Sequence, residues 1–153
     1  MLDDPEMAEL AAEEIAAAEA DLARLRSELQ LAVNVSARQF RQADFVREVR
    51  DVLAQTGANS ALLKLELTES MVLDNVQDTI EKMNALKALG VRFSMDDFGT
   101  GQSSLSYLSR LPLDQLKIDQ SFVRNIGVAA TDAVIIQTII GMARNLGLEV
   151  IAE

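Results

Sequence analysis

Two adjacent carboxylates, Asp96 and Asp97, close an apolar run that begins at Val91, and Phe98-Gly99-Thr100-Gly101 follows them directly. Neighbouring side chains in a regular strand point to opposite faces, so both acids can serve one site only where the strand is already breaking up. Gly99 and Gly101 allow the backbone to turn there or to approach a ligand closely. Hard anionic oxygens beside such a turn suit a divalent cation and a phosphate. The competing reading is an ordinary Asp-Phe-Gly turn. What the sequence lacks narrows the chemistry further. With no histidine and no cysteine, it has no imidazole ligand, no histidine base, no thiolate zinc site and no disulfide. Any reaction must run on carboxylates, amides, lysine and metal.

The 153 residues, 49% of them hydrophobic, are enough for one domain with a substantial core. Fourteen Lys and Arg stand against 24 Asp and Glu, for a net charge of -10. That sign opposes a nucleic-acid polymer as partner, while a small phosphate ligand carried on cations remains compatible. No uncharged apolar run approaches the roughly 18 residues of a membrane span, and no secretory h-region is present. A cytoplasmic chain without a membrane span is expected.

The elements that must position these residues fall into two parts. Asp4-Pro5-Glu6 opens a helix, with a capping side chain, a proline at the first position and acids at the positive end. Met7, Ala11, Ile15, Ala18, Leu22, Leu25 and Leu29 then recur at three- and four-residue steps, a single apolar seam. This long helix, residues 1–30, differs in composition from the rest and reads as a packing or dimerising element. From residue 31 to 153 short apolar strands alternate with helices. Strands are predicted at about 31–36, 62–68, 91–97, 114–118 and 148–152. One amphipathic helix carries Phe45, Val49, Val52 and Leu53; a second carries Val76, Ile80, Met83 and Leu86; a third carries Ala133, Ile136, Ile140 and Ala143. Gly57, Gly90 and Gly147 stand where each helix should stop. Strands joined by helices of this length pair in parallel, so the fold class is α/β.

Strand parity gathers a site. Asn34 opposes the leucine and valines of its strand, Glu66 opposes three leucines, and Asp96 opposes Phe93 and Met95; Lys117 and Glu153 repeat the pattern. Five strands thus place a polar side chain on one face near their carboxyl ends. Because parallel sheets are covered on both faces, unpaired charges there are costly and must converge on something that neutralises them. In a (β/α) barrel, catalytic groups stand at those strand ends.

The ordered motifs Asn34-Val-Ser, Glu66-Leu-Thr-Glu-Ser70, Asp96-Asp-Phe-Gly-Thr-Gly101 with Ser103-Ser-Leu, Leu116-Lys-Ile-Asp119 and Val150-Ile-Ala-Glu153 resemble those of EAL domains, the cyclic di-GMP phosphodiesterases. The likeness covers residues 31–153, which leaves the leading helix as an element foreign to the family. It implies a TIM-type barrel that hydrolyses cyclic di-GMP to linear pGpG with Mg²⁺ or Mn²⁺ in a two-metal site. By that resemblance Asn34, Glu66 and Asp96 ligate one metal, Asp96 is shared, Asp97 serves the second, and Glu153 matches a further metal-site carboxylate. Lys117 matches the lysine that contacts the catalytic water. Glu69 matches the glutamate anchoring the loop that begins at Asp97-Phe98-Gly99, in which Phe98, Gly99, Thr100 and Gly101 would form the substrate-binding loop. Read without the family, Lys117 could equally pair with Asp119 or an inward acid. Glu69 could be a helix-start acid, and Ser103 and Ser104 could cap a short helix.

Departures from the pattern bear on activity. The family's Glu-Ala-Leu motif, with its substrate-binding arginine, should precede Asn34 on a strand, yet Glu14 and Glu19 belong to the helix periodicity. The family also continues beyond Glu153, and Gln102 replaces its usual tyrosine. The expected architecture is an incomplete TIM-type barrel of about five parallel strands with a long N-terminal helix. Five strands do not close an eight-stranded barrel. Weak or absent turnover is therefore expected, as is self-association through the helix or the sheet edges. The alternative is a catalytically degenerate module that binds cyclic di-GMP or a protein.

Overall fold

A computed structural model of the chain describes residues 5–98, 105–124 and 130–152. The chain divides into two compact units, Met1–Gln30 and Leu31–Glu153. The first holds helix α1, Pro5–Glu28. Residues 9–22 of it are exposed throughout, so Leu10, Ile15 and Leu22 lie open along the helix.

The second unit is one parallel sheet in chain order, formed by β1 (Leu31–Asn34), β2 (Leu63–Thr68), β3 (Arg92–Phe98), β4 (Gln115–Ile118) and β5 (Glu149–Ala152). Each strand lies within about two residues of its sequence-based range. The three expected helices are α3 (Phe45–Thr56), α5 (Val76–Lys87) and α8 (Ala130–Asn145). Short helices sit at the strand ends as well: α2 (Ala37–Phe40), α4 (Glu69–Asp74), α6 (Leu105–Leu108) and α7 (Gln120–Arg124). At four to six residues these show no periodicity to read, and caps and tertiary contacts make them. No described helix is long and apolar enough to cross a membrane.

Register explains which face does what. Leu65 pairs with Phe93, Leu67 with Met95, Met95 with Leu116, and Phe98 with Ile118. All these side chains are buried, and with Val72, Met83, Leu86, Ile136, Ile139 and Ala143 they build the core between sheet and helices. The other parity aligns Asn34 with Glu66, Glu66 with Ser94, and Ser94 with Gln115. That row is polar from β1 to β4.

Gly57, Gly90 and Gly147 all adopt positive φ at the ends of the helices they were expected to stop. Gly90 is the most constrained, with φ +99° and room for a Cβ only 2.7 Å from Ser60 Oγ. Gly90→Ala is expected to cost about 1–3 kcal/mol, read as a lowered urea midpoint at unchanged slope.

A polar knot ties the short helices together. Arg41 follows α2 and donates to Asp78 Oδ2 at 2.7 Å, and Lys82 Nζ lies 3.2 Å from the same oxygen. Burial would raise the Asp78 carboxyl, but the hydrogen bonds and charges of Arg41 and Lys82 outweigh it and hold the group below its ordinary 3.8. A depressed folded value gives stability that is present above pH 3.8 and lost as pH falls through that lower value. Asp78→Asn should therefore lower stability at neutral pH and flatten its acid limb, measured as melting temperature against pH.

Candidate active site

The polar face of the sheet carries the residues singled out by parity, and its carboxyl end is the mouth. Asn34 ends β1 directly beside Glu66 of β2 in the ladder. Glu66 is 8% exposed and accepts from Lys117 Nζ, at 3.2 Å to Oε1 and 3.4 Å to Oε2. Lys117 thus pairs with the inward acid. Below them, Lys64 Nζ donates to Gln115 Oε1 at 2.8 Å, so a polar layer forms the floor of the face.

Asp96 and Asp97 reach the same side through an irregularity in β3. Met95 pairs with Leu116 and Phe98 with Ile118, so two residues on β3 stand against Lys117 alone on β4. This is a one-residue bulge, and it places both carboxylates opposite the lysine. Asp97 takes φ +55°, a left-handed conformation that aspartate and asparagine tolerate better than most residues. Its amide donates to Asp96 Oδ1 at 2.9 Å. Phe98 then returns to the apolar parity, 2% exposed, and belongs to the core.

Charge is concentrated at the bulge. Burial first, then the neighbouring Asp96 and Asp119 charges and a hydrogen bond shared with Asp119, push the Asp97 carboxyl up, against the opposing pull of Lys117. Asp119 goes the other way: hydrogen bonds from the Ser121 hydroxyl, then from backbone, outweigh its slight burial. Of the two carboxyl groups, Asp97 is the one pushed up and Asp119 the one drawn down. Two carboxyl groups in contact, next to a third, form a hard-oxygen environment that a divalent cation would relieve, so the donor set fits such an ion. Among the described residues, no group of three or more Asp or Glu side chains closes on one point.

Glu69 opens α4 just past Thr68, whose hydroxyl caps the helix by accepting from the Met71 amide at 3.4 Å. It is 2% exposed and accepts a hydrogen bond of 2.9 Å from the hydroxyl of Tyr107, itself 5% exposed. Burial and this carboxylate raise the phenol well above its ordinary value, so it stays a donor. Tyr107 was not legible as part of the site. It lies in the apolar pattern Leu105-Ser-Tyr-Leu108, and its being the sequence's single tyrosine was the only signal. The contact of Asp119 with Asp97 was likewise missed, because the motif spacing does not say which acid faces which. Gly99, Thr100, Gly101 and Glu153, together with the Ser103-Ser104 pair, lie outside the described residues.

The parallel β/α sheet carries acids, an amide and a lysine at its strands' carboxyl ends, the end at which (β/α)-barrel enzymes place their catalytic groups. The chain belongs to the EAL domain family, whose sequence model matches residues 4–153 and so takes in α1. It is 48% identical over 125 residues to the cyclic di-GMP phosphodiesterase NbdA of Pseudomonas aeruginosa, covering 82% of this chain and 16% of that protein. It spans about one sixth of the length of the curated relatives it matches. Among solved structures, a c-di-GMP complex of the phosphodiesterase PaMucR superposes with a TM-score of 0.78 at 34% identity, covering 96% of this chain and 64% of that one. A manganese/cy-diGMP complex of Klebsiella pneumoniae BlrP1 gives 0.72 at 31% identity, covering 80% and 32%.

Proposed function

We propose that the mouth of this sheet is a cyclic di-GMP phosphodiesterase site that uses Mg²⁺ or Mn²⁺. The observation that carries the reading is the β3 bulge, which sets Asp96 and Asp97 side by side opposite Lys117. Asn34, Glu66 and Asp96 would hold one cation. Asp96 is shared, Asp97 and its partner Asp119 would serve the second, and Glu153 adds a further carboxylate. Oxygen donors of this kind favour Mg²⁺ or Mn²⁺ over zinc. When bound, two such cations acidify a water and neutralise charge on the phosphoryl oxygens.

The chain's own groups do the rest. Lys117 donates from the polar face and orients a water or balances charge on the phosphoryl group. Glu69, held by Tyr107, would anchor the substrate-binding loop of Gly99, Thr100 and Gly101 that follows Phe98, whose own side chain belongs to the core. A water oxygen bonds to phosphorus as one P–O ester bond breaks, and linear pGpG leaves. Among the described residues β1 and β5 each pair along one edge only, and those edges, or α1, are where association is expected.

The test is calorimetric titration of cyclic di-GMP in the presence of Ca²⁺, which permits binding while suppressing hydrolysis. Saturable heat that disappears in EDTA is expected; identical heats with and without the cation would refute the reading. A second reading, a binding module without turnover, draws on the lack of a three-carboxylate cluster among the described residues. Nucleotide binding untouched by Asp97→Asn, with no hydrolysis under Mn²⁺, would favour it.

A further inference from the structure

We infer that Arg41 is a positioning residue, a clamp that fixes the Asn34 end of β1 against the Glu66–Glu69 segment; the inference rests on the phosphodiesterase reading above. Past Asn34 the chain leaves the sheet. Its last ladder contact is the Val35 amide donating to the Glu66 carbonyl at 3.1 Å. The four-residue α2 follows, held locally by the capping box of Ser36 and Gln39. On the other side Glu69 opens α4, which is only six residues long. Helices this short do not hold a position by themselves.

One guanidinium joins the two. Arg41 Nη1 donates to Asp78 at 2.7 Å and to the Asn75 carbonyl at 3.4 Å. Nη2 donates to the Met71 carbonyl and to Thr79 Oγ1, the latter at 3.0 Å. The acceptors run from inside α4, across the α4–α5 junction, into the first turn of α5. The group also lies over the Phe40 ring, 5.5 Å from its centroid. Lys82 returns the tie from α5, donating to the Phe40 carbonyl at 2.6 Å. An ion pair serving stability alone needs one carboxylate. This fork instead engages two backbone carbonyls, one in the helix that starts with Glu69 and one at its end, a geometry that only the planar, multi-donor side chain provides. Ligand sets need placement to within about 0.5 Å, so slack between these two strand ends reaches any ion that Asn34 and Glu66 share.

The experiment uses the 153-residue chain with Arg41→Ala, Arg41→Lys and, as a control, Lys87→Ala. Lys87 pairs with Asp114 at 2.7 Å at the opposite ends of the strands. Amide hydrogen exchange of the metal-free protein reads the segments 34–41 and 69–79, and Mn²⁺ titration by water-proton relaxation reads affinity. Arg41→Ala is expected to speed exchange in both segments together and to weaken Mn²⁺ about tenfold. Arg41→Lys should do the same although its charge is kept. Lys87→Ala should lower the melting temperature and leave both readouts at wild-type values. Unchanged exchange in 34–41 on Arg41→Ala overturns the clamp, as does Mn²⁺ affinity that follows melting temperature equally in the Arg41 and Lys87 variants. Should wild type take up no Mn²⁺, the phosphodiesterase reading fails by itself, and the exchange measurement still decides the clamp. If the alanine variant does not fold, the lysine variant decides it.

Discussion

Lys117→Met is expected to cost the cation-free chain about 3–5 kcal/mol and to make its stability depend on added Mn²⁺. The lysine ammonium lies 3.2 Å from Glu66, and the two side chains are only 19% and 9% exposed. Removing one partner of such a pair leaves a buried charge uncompensated, which is far more costly than the pair's own net contribution. In the proposed site, a dication held by Asn34 and Glu66 would replace what the lysine supplied. The melting temperature of the variant should therefore rise with Mn²⁺ more steeply than that of wild type. The double variant Lys117→Met with Glu66→Gln should recover much of the loss in EDTA and lose the response to cation. Equal stability of Lys117→Met and wild type in EDTA would mean that Glu66 is neutralised by some other group.

Asp97→Asn is expected to move stability and affinity in opposite directions. Asparagine keeps the left-handed backbone at φ +55° and removes the carboxyl that burial, Asp96 and Asp119 all push up. A group raised in the folded state contributes stability below its unfolded value, and that contribution is lost as pH rises through the raised one. Wild type without cation consequently pays for the ionised Asp97 at neutral pH and the variant does not. The variant should melt higher than wild type at pH 7, with the difference vanishing in acid. Its Mn²⁺ affinity should fall at least ~100-fold, since loss of an outer partner alone costs 10–100-fold. A variant that is less stable at pH 7, or that binds Mn²⁺ normally, contradicts the placement of Asp97. Sites built for a ligand often carry such a stability cost.

What could be read from the sequence follows from what leaves a period. Leu65, Leu67, Phe93 and Met95 alternate with Glu66, Ser94 and Asp96, and a period of two assigns faces without any tertiary information. Gly57, Gly90 and Gly147 mark helix stops because positive φ costs other residues more. Parity also predicted that Asn34, Glu66, Asp96 and Lys117 would share a face. It did not say which partner Lys117 takes, since Glu66 and Asp119 satisfy the same alternation and only the stagger of β2 against β4 separates them. Tyr107 and Arg41 were not legible for a related reason. Both act across at least 30 residues of chain on partners that no local pattern names, the Glu69 carboxylate and the Met71 carbonyl. Phe98 was grouped with the loop after Asp97, and the bulge explains its return to the core: the extra residue restores the apolar phase one position later.

That extra residue separates competence from foldedness by a single codon. Deleting either aspartate would leave Met95-Asp-Phe98, a run of ordinary alternation whose aromatic side chain still falls inside. The shortened protein would be the more regular of the two, and it would carry one anion fewer. In this scaffold an inactivating lesion of that kind would not register as misfolding. Abundance in a cell would be a poor guide to whether a given copy still works, and only a direct assay of the ion would tell them apart.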